Sequence, residues 1–376
     1  MLVFGTRPEA IKMAPLAVAL AKQDWCEPIV CVTGQHREML DQVLAFFGVT
    51  ADVDLGLFQP GQSLTQLTSR ALAAMEPVMA ERTPHAVVVQ GDTTSTFIGA
   101  LSAFYGQVPV VHLEAGLRTD NRYSPFPEEI YRRLTGQLTA LHLAATSQAR
   151  DNLIRDGVAA ADISVTGNTV IDALRMAVDR KQSYGDAHLE RIDRSDRRVV
   201  LITAHRRESW GAGMSAIGMA IAKLAEVHAD VEFVFPIHRN PVVRDAIVPL
   251  VSDRANVTII EPLPYGAFSR LMNRASVVLT DSGGVQEEAP SLGKPVLVMR
   301  DNTERPEAVY AGTAKLVGTD DTVIFNEVTT LLTDPSAYDL MAQAHNPYGD
   351  GRAVDRCVAA IGALLGIGER IDEFTP

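Results

Sequence analysis

The run LTDSGGVQEEAPSLGKPVLVMRDNTER, residues 279–305, sets the end of an apolar strand against a glycine pair and then a helix start. Val277-Val278-Leu279 reads as a buried strand, Asp281-Ser282-Gly283-Gly284 as a turn, and a helix begins near Val285. At such a junction free backbone N–H groups and the positive end of the helix dipole face outward and suit an anion. Two glycines let the backbone approach a phosphate closely. Glu287 and Glu288 follow within a turn and a half. They stand too near that phosphate to be its ligands, because like charges repel. A carboxylate one turn further in can instead accept hydrogen bonds from sugar hydroxyls. The stretch therefore proposes a nucleotide with its phosphate on Gly283 and Gly284 and its ribose on Glu288. An ordinary glycine turn with a charged helix face is the alternative reading at this point.

The same strand–loop–helix unit recurs along the chain. Leu2–Phe4 is a short apolar strand that turns through Gly5-Thr6-Arg7-Pro8-Glu9 into a helix. Thr6 and Glu9 have capping-box spacing, and Pro8 suits the first helical turn. Ile29–Val32, Ala86–Val89, Val108–His112, Leu141–Ala144 and Ile163–Val165 read as further strands, with Ser63 and Gln66 capping a long helix between the first two. Asn168 caps a helix from about Val170. The charged run 179–198 interrupts the alternation and reads as the region between domains. Val199–Thr203, Val231–Pro236, Val257–Ile260, Pro295–Met299 and Ala314–Val317 then resume it. Repeated strand–helix units predict an α/β protein of two doubly wound Rossmann-like domains facing a central cleft. The expected division is residues 1–175, carrying acid and base groups, and residues 176–352.

Composition bounds the partners. At 376 residues, with 47% hydrophobic and 21% charged content, the chain is of globular type and long enough for two cores. A net charge of −12 argues against nucleic acid or an anionic membrane surface as the main partner. No apolar run approaches the roughly 20 residues of a membrane helix. The three cysteines, Cys26, Cys31 and Cys357, have no framework or metal spacing, and with no secretory signal a reducing, cytoplasmic location is expected.

The loops after the strands carry the chemistry. In the first half they deliver Arg7, Asp92 and Glu114, and a nearby helix start delivers Glu128. Three carboxylates in one cleft suit general acid–base catalysis, in which surroundings push pKa values apart. Asp92 as a helix cap and Glu128 as a dipole partner are the bland alternatives, each worth about 0.5–1 kcal/mol. Glu114 has no evident capping task. In the second half His205, Arg206, Arg207 and the Ser282–Gly284 turn form a diphosphate site able to stabilise a departing phosphate. Other motifs fail. His112 and Glu114 have no further ligands at metal spacing, so no metal is expected. Ser291-Leu292-Gly293-Lys294 lacks the companions of a serine acyl enzyme. Gly211-Ala212-Gly213 does not continue as a dinucleotide fingerprint, and no Tyr-x-x-x-Lys occurs, so no nicotinamide cofactor is expected.

Taken together, these loops resemble those of the non-hydrolysing UDP-N-acetylglucosamine 2-epimerases. The matching segments are Gly5-Thr6-Arg7-Pro8-Glu9-Ala10-Ile11-Lys12, Gly91-Asp92-Thr93-Thr94, Glu114-Ala115-Gly116-Leu117-Arg118 and Pro127-Glu128-Glu129. They continue with Gly167-Asn168-Thr169, His205-Arg206-Arg207-Glu208-Ser209, the 281–288 turn, Glu304-Arg305-Pro306-Glu307 and the 346–351 loop. The resemblance runs over nearly the whole chain. It implies a two-domain fold of the GT-B glycosyltransferase type, with the last helix, within 353–376, packing back on the first domain. It also implies no cofactor, a homodimer, and a product, UDP-N-acetylmannosamine, used for surface polysaccharide. Asp92, Glu114, Glu128 and His205 would be catalytic. Arg7, Lys12, Arg206, Phe268, Ser282, Gly283, Gly284, Glu288 and Arg305 would bind the substrate, UDP-N-acetylglucosamine, with Phe268 beside the uracil. Leu263 stands where some relatives have a polar residue. Gln35 and His36 would belong to an activator site where a second substrate molecule binds.

The resemblance also implies a mechanism. The C2 proton of the sugar is not next to a carbonyl, so simple deprotonation is too costly. Breaking the anomeric C–O bond while C2 loses its proton expels UDP and gives 2-acetamidoglucal, to which UDP adds back with a proton on the opposite face. A UDP-sugar glycosyltransferase of the same fold, a hydrolysing 2-epimerase and a non-catalytic sugar-nucleotide sensor are the competing readings. The carboxylate set discriminates against the transferase and the sensor, neither of which needs acids at C2.

Overall fold

The structure is a computed structural model and describes residues 1–34, 37–59, 61–119 and 121–376. Its chain divides into two compact units, residues Met1–Ala173 with Tyr348–Pro376, and residues Leu174–Pro347.

The first unit is built on a parallel sheet of β1 (Leu2–Phe4), β2 (Val30–Val32), β3 (Val53–Asp54), β4 (Val87–Gln90), β5 (Val110–Ala115), β6 (Leu141–Ala144) and β7 (Ile163–Val165). The spatial order is β3-β2-β1-β4-β5-β6-β7. The central strands are short and fully buried, as in sheets whose faces are both covered by helices. Helix Arg7–Leu20 starts at Thr6 in the capping box that the sequence spelled, with Glu9 Oε2 accepting from the N–H of Thr6 at 2.8 Å. Ser63 and Gln66 likewise form a reciprocal cap on helix Leu64–Arg82. The last helix, Ala353–Leu364, packs against helix Arg7–Leu20 within this unit.

The second unit carries β8 (Arg198–Thr203), β9 (Val231–Pro236), β10 (Val257–Ile260), β11 (Val277–Thr280), β12 (Val296–Val298) and β13 (Ala314–Leu316). Its parallel order is β10-β9-β8-β11-β12-β13. Val200, Ile202, Phe233, Phe235, Val277 and Leu279 fill the core against helix Ala212–Val227. The charged run 179–198, expected to lie between domains, instead holds a helix, Ala187–Arg194, inside this unit. Leu189 and Ile192 bury one narrow face, and Arg270 clamps Glu190 at 2.9 Å and Asp193 at 2.6 Å. An apolar stripe of two residues is too thin a signal for a helix that ion pairs hold in place.

In both sheets the order reverses beside the first strand, between β1 and β4 and between β8 and β11. The crevice outside strand C-termini at such a switch point is where open α/β sheets bind ligands. The loops that carry Arg7 and Asp92 in the first unit, and His205 and Ser282 in the second, lie there.

Candidate active-site residues of the two units

In the first unit the carboxylate of Glu114 is the meeting point. Glu114 is the penultimate residue of β5, at a register shift against β6, with φ of +61°. A left-handed conformation costs a non-glycine residue about 1–2 kcal/mol, so the surroundings must hold it there. They do so from three elements. Lys12, on helix Arg7–Leu20, donates to Oε2 at 2.5 Å. Gln90, at the end of β4, donates to the same oxygen. Asn168 donates to Oε1 at 3.3 Å while its own amide oxygen accepts from the N–H of Val170.

Asp92 follows β4, and Thr93, not Asp92, caps helix Thr94–Tyr105. The capping alternative therefore falls away. Asp92 is instead bound by Arg132 of helix Glu128–Leu138. Burial pushes its carboxyl above the ordinary value, Arg132 opposes this, and the charge of Glu114 adds to the rise. The turn before Asp92 is fixed from beneath. His112 is buried, its Nε2 lies 2.7 Å from the carbonyl of Gly91, and burial lowers its pKa to about 4. It is therefore a neutral donor that holds the loop.

Glu128 is the first residue of its helix, half-buried, and its carboxylate makes no hydrogen bond to a described residue. It stands one turn before Arg132, so the two share a helix face. Its neighbour Glu129 has the structural role. It is fully buried and accepts from Thr119 N at 3.0 Å, Arg133 Nε at 2.6 Å and Arg132 Nη1 at 3.3 Å. Arg7 opens helix Arg7–Leu20 at the other side of the switch point. Gln35 and His36 lie outside the described residues.

In the second unit Ser282 is the N-cap residue of helix Gly283–Glu288, yet its hydroxyl makes no cap hydrogen bond. The first amides of that helix and the serine hydroxyl are thus left for another acceptor. A methyl group on Gly283 would stand 3.8 Å from the guanidinium of Arg206, which fixes that arginine beside the turn. The two glutamates behind the turn are answered separately. Glu287 is buried and paired with Arg305. Glu288 Oε1 accepts from the hydroxyl of Tyr265 at 3.3 Å. Phe268 is half-buried one turn after Tyr265 on helix Tyr265–Arg274. Across the switch point, Asp281 is fully buried and joins the two loops. Its Oδ2 accepts from the N–H of His205 at 2.6 Å and of Arg206 at 2.7 Å, and its Oδ1 lies 2.8 Å from His205 Nδ1.

Thus Lys12 and Glu114 touch directly, Asp92 joins them through their shared field, and His205 and Arg206 are gathered to the Ser282–Gly284 turn by Asp281. Sequence reading missed Gln90, Arg132, Tyr265 and Asp281. Arg132 is four residues beyond Glu128, a spacing that places it on the same face, but nothing in the sequence says that this face meets Asp92. In the sequence Asp281 reads only as a turn residue. Among the described residues no group of three or more His, Cys, Asp and Glu side chains is arranged to hold a metal ion.

Two doubly wound sheets with an acid cluster at one switch point and an uncapped glycine turn beside cationic side chains at the other define an α/β enzyme suited to a nucleotide-linked substrate. The UDP-N-acetylglucosamine 2-epimerase profile matches residues 18–362, and the chain belongs to that family. A UDP-N-acetylglucosamine 2-epimerase of Escherichia coli K12 is 53% identical over 365 residues, covering 96% of this chain and 97% of that protein. The crystal structure of UDP-GlcNAc 2-epimerase from Neisseria meningitidis bound to UDP-GlcNAc superposes with a TM-score of 0.85 at 46% identity, covering 97% of this chain and 99% of that one. The Staphylococcus aureus MnaA structure with UDP gives 0.89 at 42% identity, over 100% and 99%. The fold is thus the GT-B-type pairing of Rossmann-like domains expected from the sequence.

Proposed function

We propose that the protein interconverts UDP-N-acetylglucosamine and UDP-N-acetylmannosamine without hydrolysing either. The observation that carries this reading, beside family membership, is the Glu114 carboxylate, held in a strained backbone conformation by Lys12, Gln90 and Asn168. A fixed, largely buried carboxylate next to a second one of raised pKa is equipment for moving protons, not only for binding. A binding module or a transferase has no use for it.

In the proposed reaction a carboxylate removes the C2 proton as the C1–O bond breaks and the electron pair of the C–H bond becomes the C1=C2 bond of 2-acetamidoglucal. UDP leaves with the bonding pair of C1–O. Its diphosphate is held by Ser282, the amides of Gly283 and Gly284, Arg206 and His205, with Arg7 assisting and the ribose on Glu288. Re-addition of the phosphate oxygen to C1, with a proton delivered to the other face of C2, completes the epimerisation. Proton transfer is divided among Asp92, Glu114 and Glu128. Residues 1–175 form the acid–base domain and residues 176–352 the UDP domain. The protein is a cytoplasmic homodimer that supplies a precursor of surface polysaccharide, and Gln35 and His36 contribute to an activator site.

Proton NMR of the purified protein with UDP-N-acetylglucosamine in D2O tests the reaction. Growth of the manno sugar nucleotide with deuterium at C2 and UDP still attached is the expected result. Free N-acetylmannosamine with UDP would make the enzyme a hydrolysing one, and no turnover would overturn the epimerase reading.

A further inference from the structure

His205 and Asp281 come together across the switch point of the second unit, from the loop after β8 and the end of β11. Asp281 has no exposed surface, so neither of its oxygens can turn to water. Oδ2 is committed to the backbone N–H groups of His205 and Arg206. Oδ1 lies 2.8 Å from the imidazole Nδ1 of His205 and has no other partner among the described residues. A buried carboxylate oxygen is costly to leave unpaired, and an Nδ1–H on the neighbouring His205 ring is the donor within reach. Burial would raise the Asp281 carboxyl, but the hydrogen bond and charge of His205, with the two backbone donors, hold it below the ordinary value. It is therefore an acceptor only, and the ring nitrogen facing it must carry a proton.

We propose that Asp281 is a positioning residue for His205: it fixes the imidazole in the Nδ1–H tautomer, leaving Nε2 as the atom presented to the diphosphate. The assignment rests on the reading of His205 as part of the reaction site. Three consequences follow from the charge. With Nδ1 pinned, a proton taken up by the ring goes to Nε2, and the resulting imidazolium is balanced by Asp281. That cation then stands beside Arg206 at the turn where UDP departs. When UDP attacks again, the same imidazole must release the diphosphate oxygen, which a neutral ring with a lone pair at Nε2 allows.

His238, of the loop after β9, also faces His205. Its ring is stacked 6.1 Å from that of His205. His238 Nδ1 accepts the N–H of Asn240 at 3.2 Å, so His238 carries its proton on Nε2, the opposite tautomer. Burial and the neighbouring His205 both lower the His238 pKa, while Asp281 opposes them. His238 is therefore held neutral, and the carboxylate partner belongs to His205.

The test is nitrogen-15 NMR of histidine-labelled protein, in which protonated and unprotonated ring nitrogens resonate far apart. The chain has nine histidines, and the His205 signals are those lost in His205→Asn. The expected wild-type result is a protonated Nδ1 at neutral pH, either as the neutral tautomer or as the imidazolium. A protonated Nε2 with a bare Nδ1 overturns the proposal without any Asp281 variant having to fold. In Asp281→Asn the amide oxygen stays on the two backbone donors, so its NH2 faces Nδ1 and forces the tautomer to Nε2–H. That variant should lose at least about 100-fold in kcat with a smaller change in KM. The double variant with His205→Asn should be no worse than His205→Asn alone. A double variant that loses both factors independently overturns the assignment. Full activity in His205→Asn would instead remove His205 from the mechanism, while the tautomer measurement would still stand or fall by itself.

Discussion

Glu114, Asp92 and Arg132 form one electrostatic unit, and each can be tested apart from the others. Glu114→Gln keeps the size and one acceptor but cannot take a proton. Activity should fall by about 100- to 10,000-fold, the usual contribution of a positioned acid or base. Initial rates of deuterium incorporation at C2 measure it, and full activity would take Glu114 out of the chemistry. Arg132→Ala acts one step back. The guanidinium opposes the burial that raises Asp92, so its removal sends the Asp92 pKa higher still. The ionisation that Asp92 contributes to the pH profile of kcat/KM should move upward, and an unmoved profile would detach Arg132 from it. Asp92 and Glu114 were legible because strand-end loops of α/β sheets deliver their side chains to one edge. Arg132 and Asp281 were not, because their partners lie 40 and 76 residues away and only the packed structure brings them near.

At the scale of the element, strands were legible wherever an apolar run was bounded by turn residues, as in β4, β9 and β11. β3 was missed because it is only Val53-Asp54, the first half-buried and the second exposed, and recognisable only by its pairing with β2. The positive-φ glycines show what an element boundary demands. Gly116 follows β5 with φ of +93°, and a Cβ there would stand 2.3 Å from the carbonyl oxygen of Ala149 on helix Ser147–Arg155. Gly157, just past that same helix, has φ of +92° and open space where its Cβ would go. The two alanine substitutions therefore share the backbone cost and differ in the clash. Gly157→Ala should destabilise by about 1–2 kcal/mol. Gly116→Ala should cost at least about 2 kcal/mol more, since backbone cannot yield as a side chain would. It should also lower activity, because the displaced loop begins at Glu114. Urea denaturation midpoints of both variants decide this, and equal midpoints would show that the loop relaxes freely.

For the whole molecule, the chain leaves the first unit after Ala173 and returns at Tyr348, and polar contacts inside that unit bind departure to return. Asn168 donates its N–H to the carbonyl of Tyr348 at 2.7 Å while its side chain reaches Glu114. Asp172 accepts from the N–H groups of Ala353 at 3.2 Å and Val354 at 3.0 Å, capping the last helix across 181 residues of sequence. Burial raises the Asp172 carboxyl to about 6, against the pull of those two amides. Its folded pKa thus lies above the unfolded value of about 3.9, so the native state holds the proton more tightly. The contribution of this group to stability is fully present below about pH 4 and is lost as the pH rises through about 6. Over that window the wild type should lose roughly 2–3 kcal/mol relative to Asp172→Asn, whose side chain does not titrate. Thermal unfolding of both proteins at intervals from pH 4 to 8 measures the difference. It should change steadily up to about pH 6.5 and stay flat beyond, whereas a difference independent of pH would mean that the Asp172 carboxyl titrates alike in the folded and unfolded chain. A flat difference with lowered stability throughout would leave Asp172 as a helix cap of constant charge, still joining the return of the chain to the strand-end network that holds Glu114.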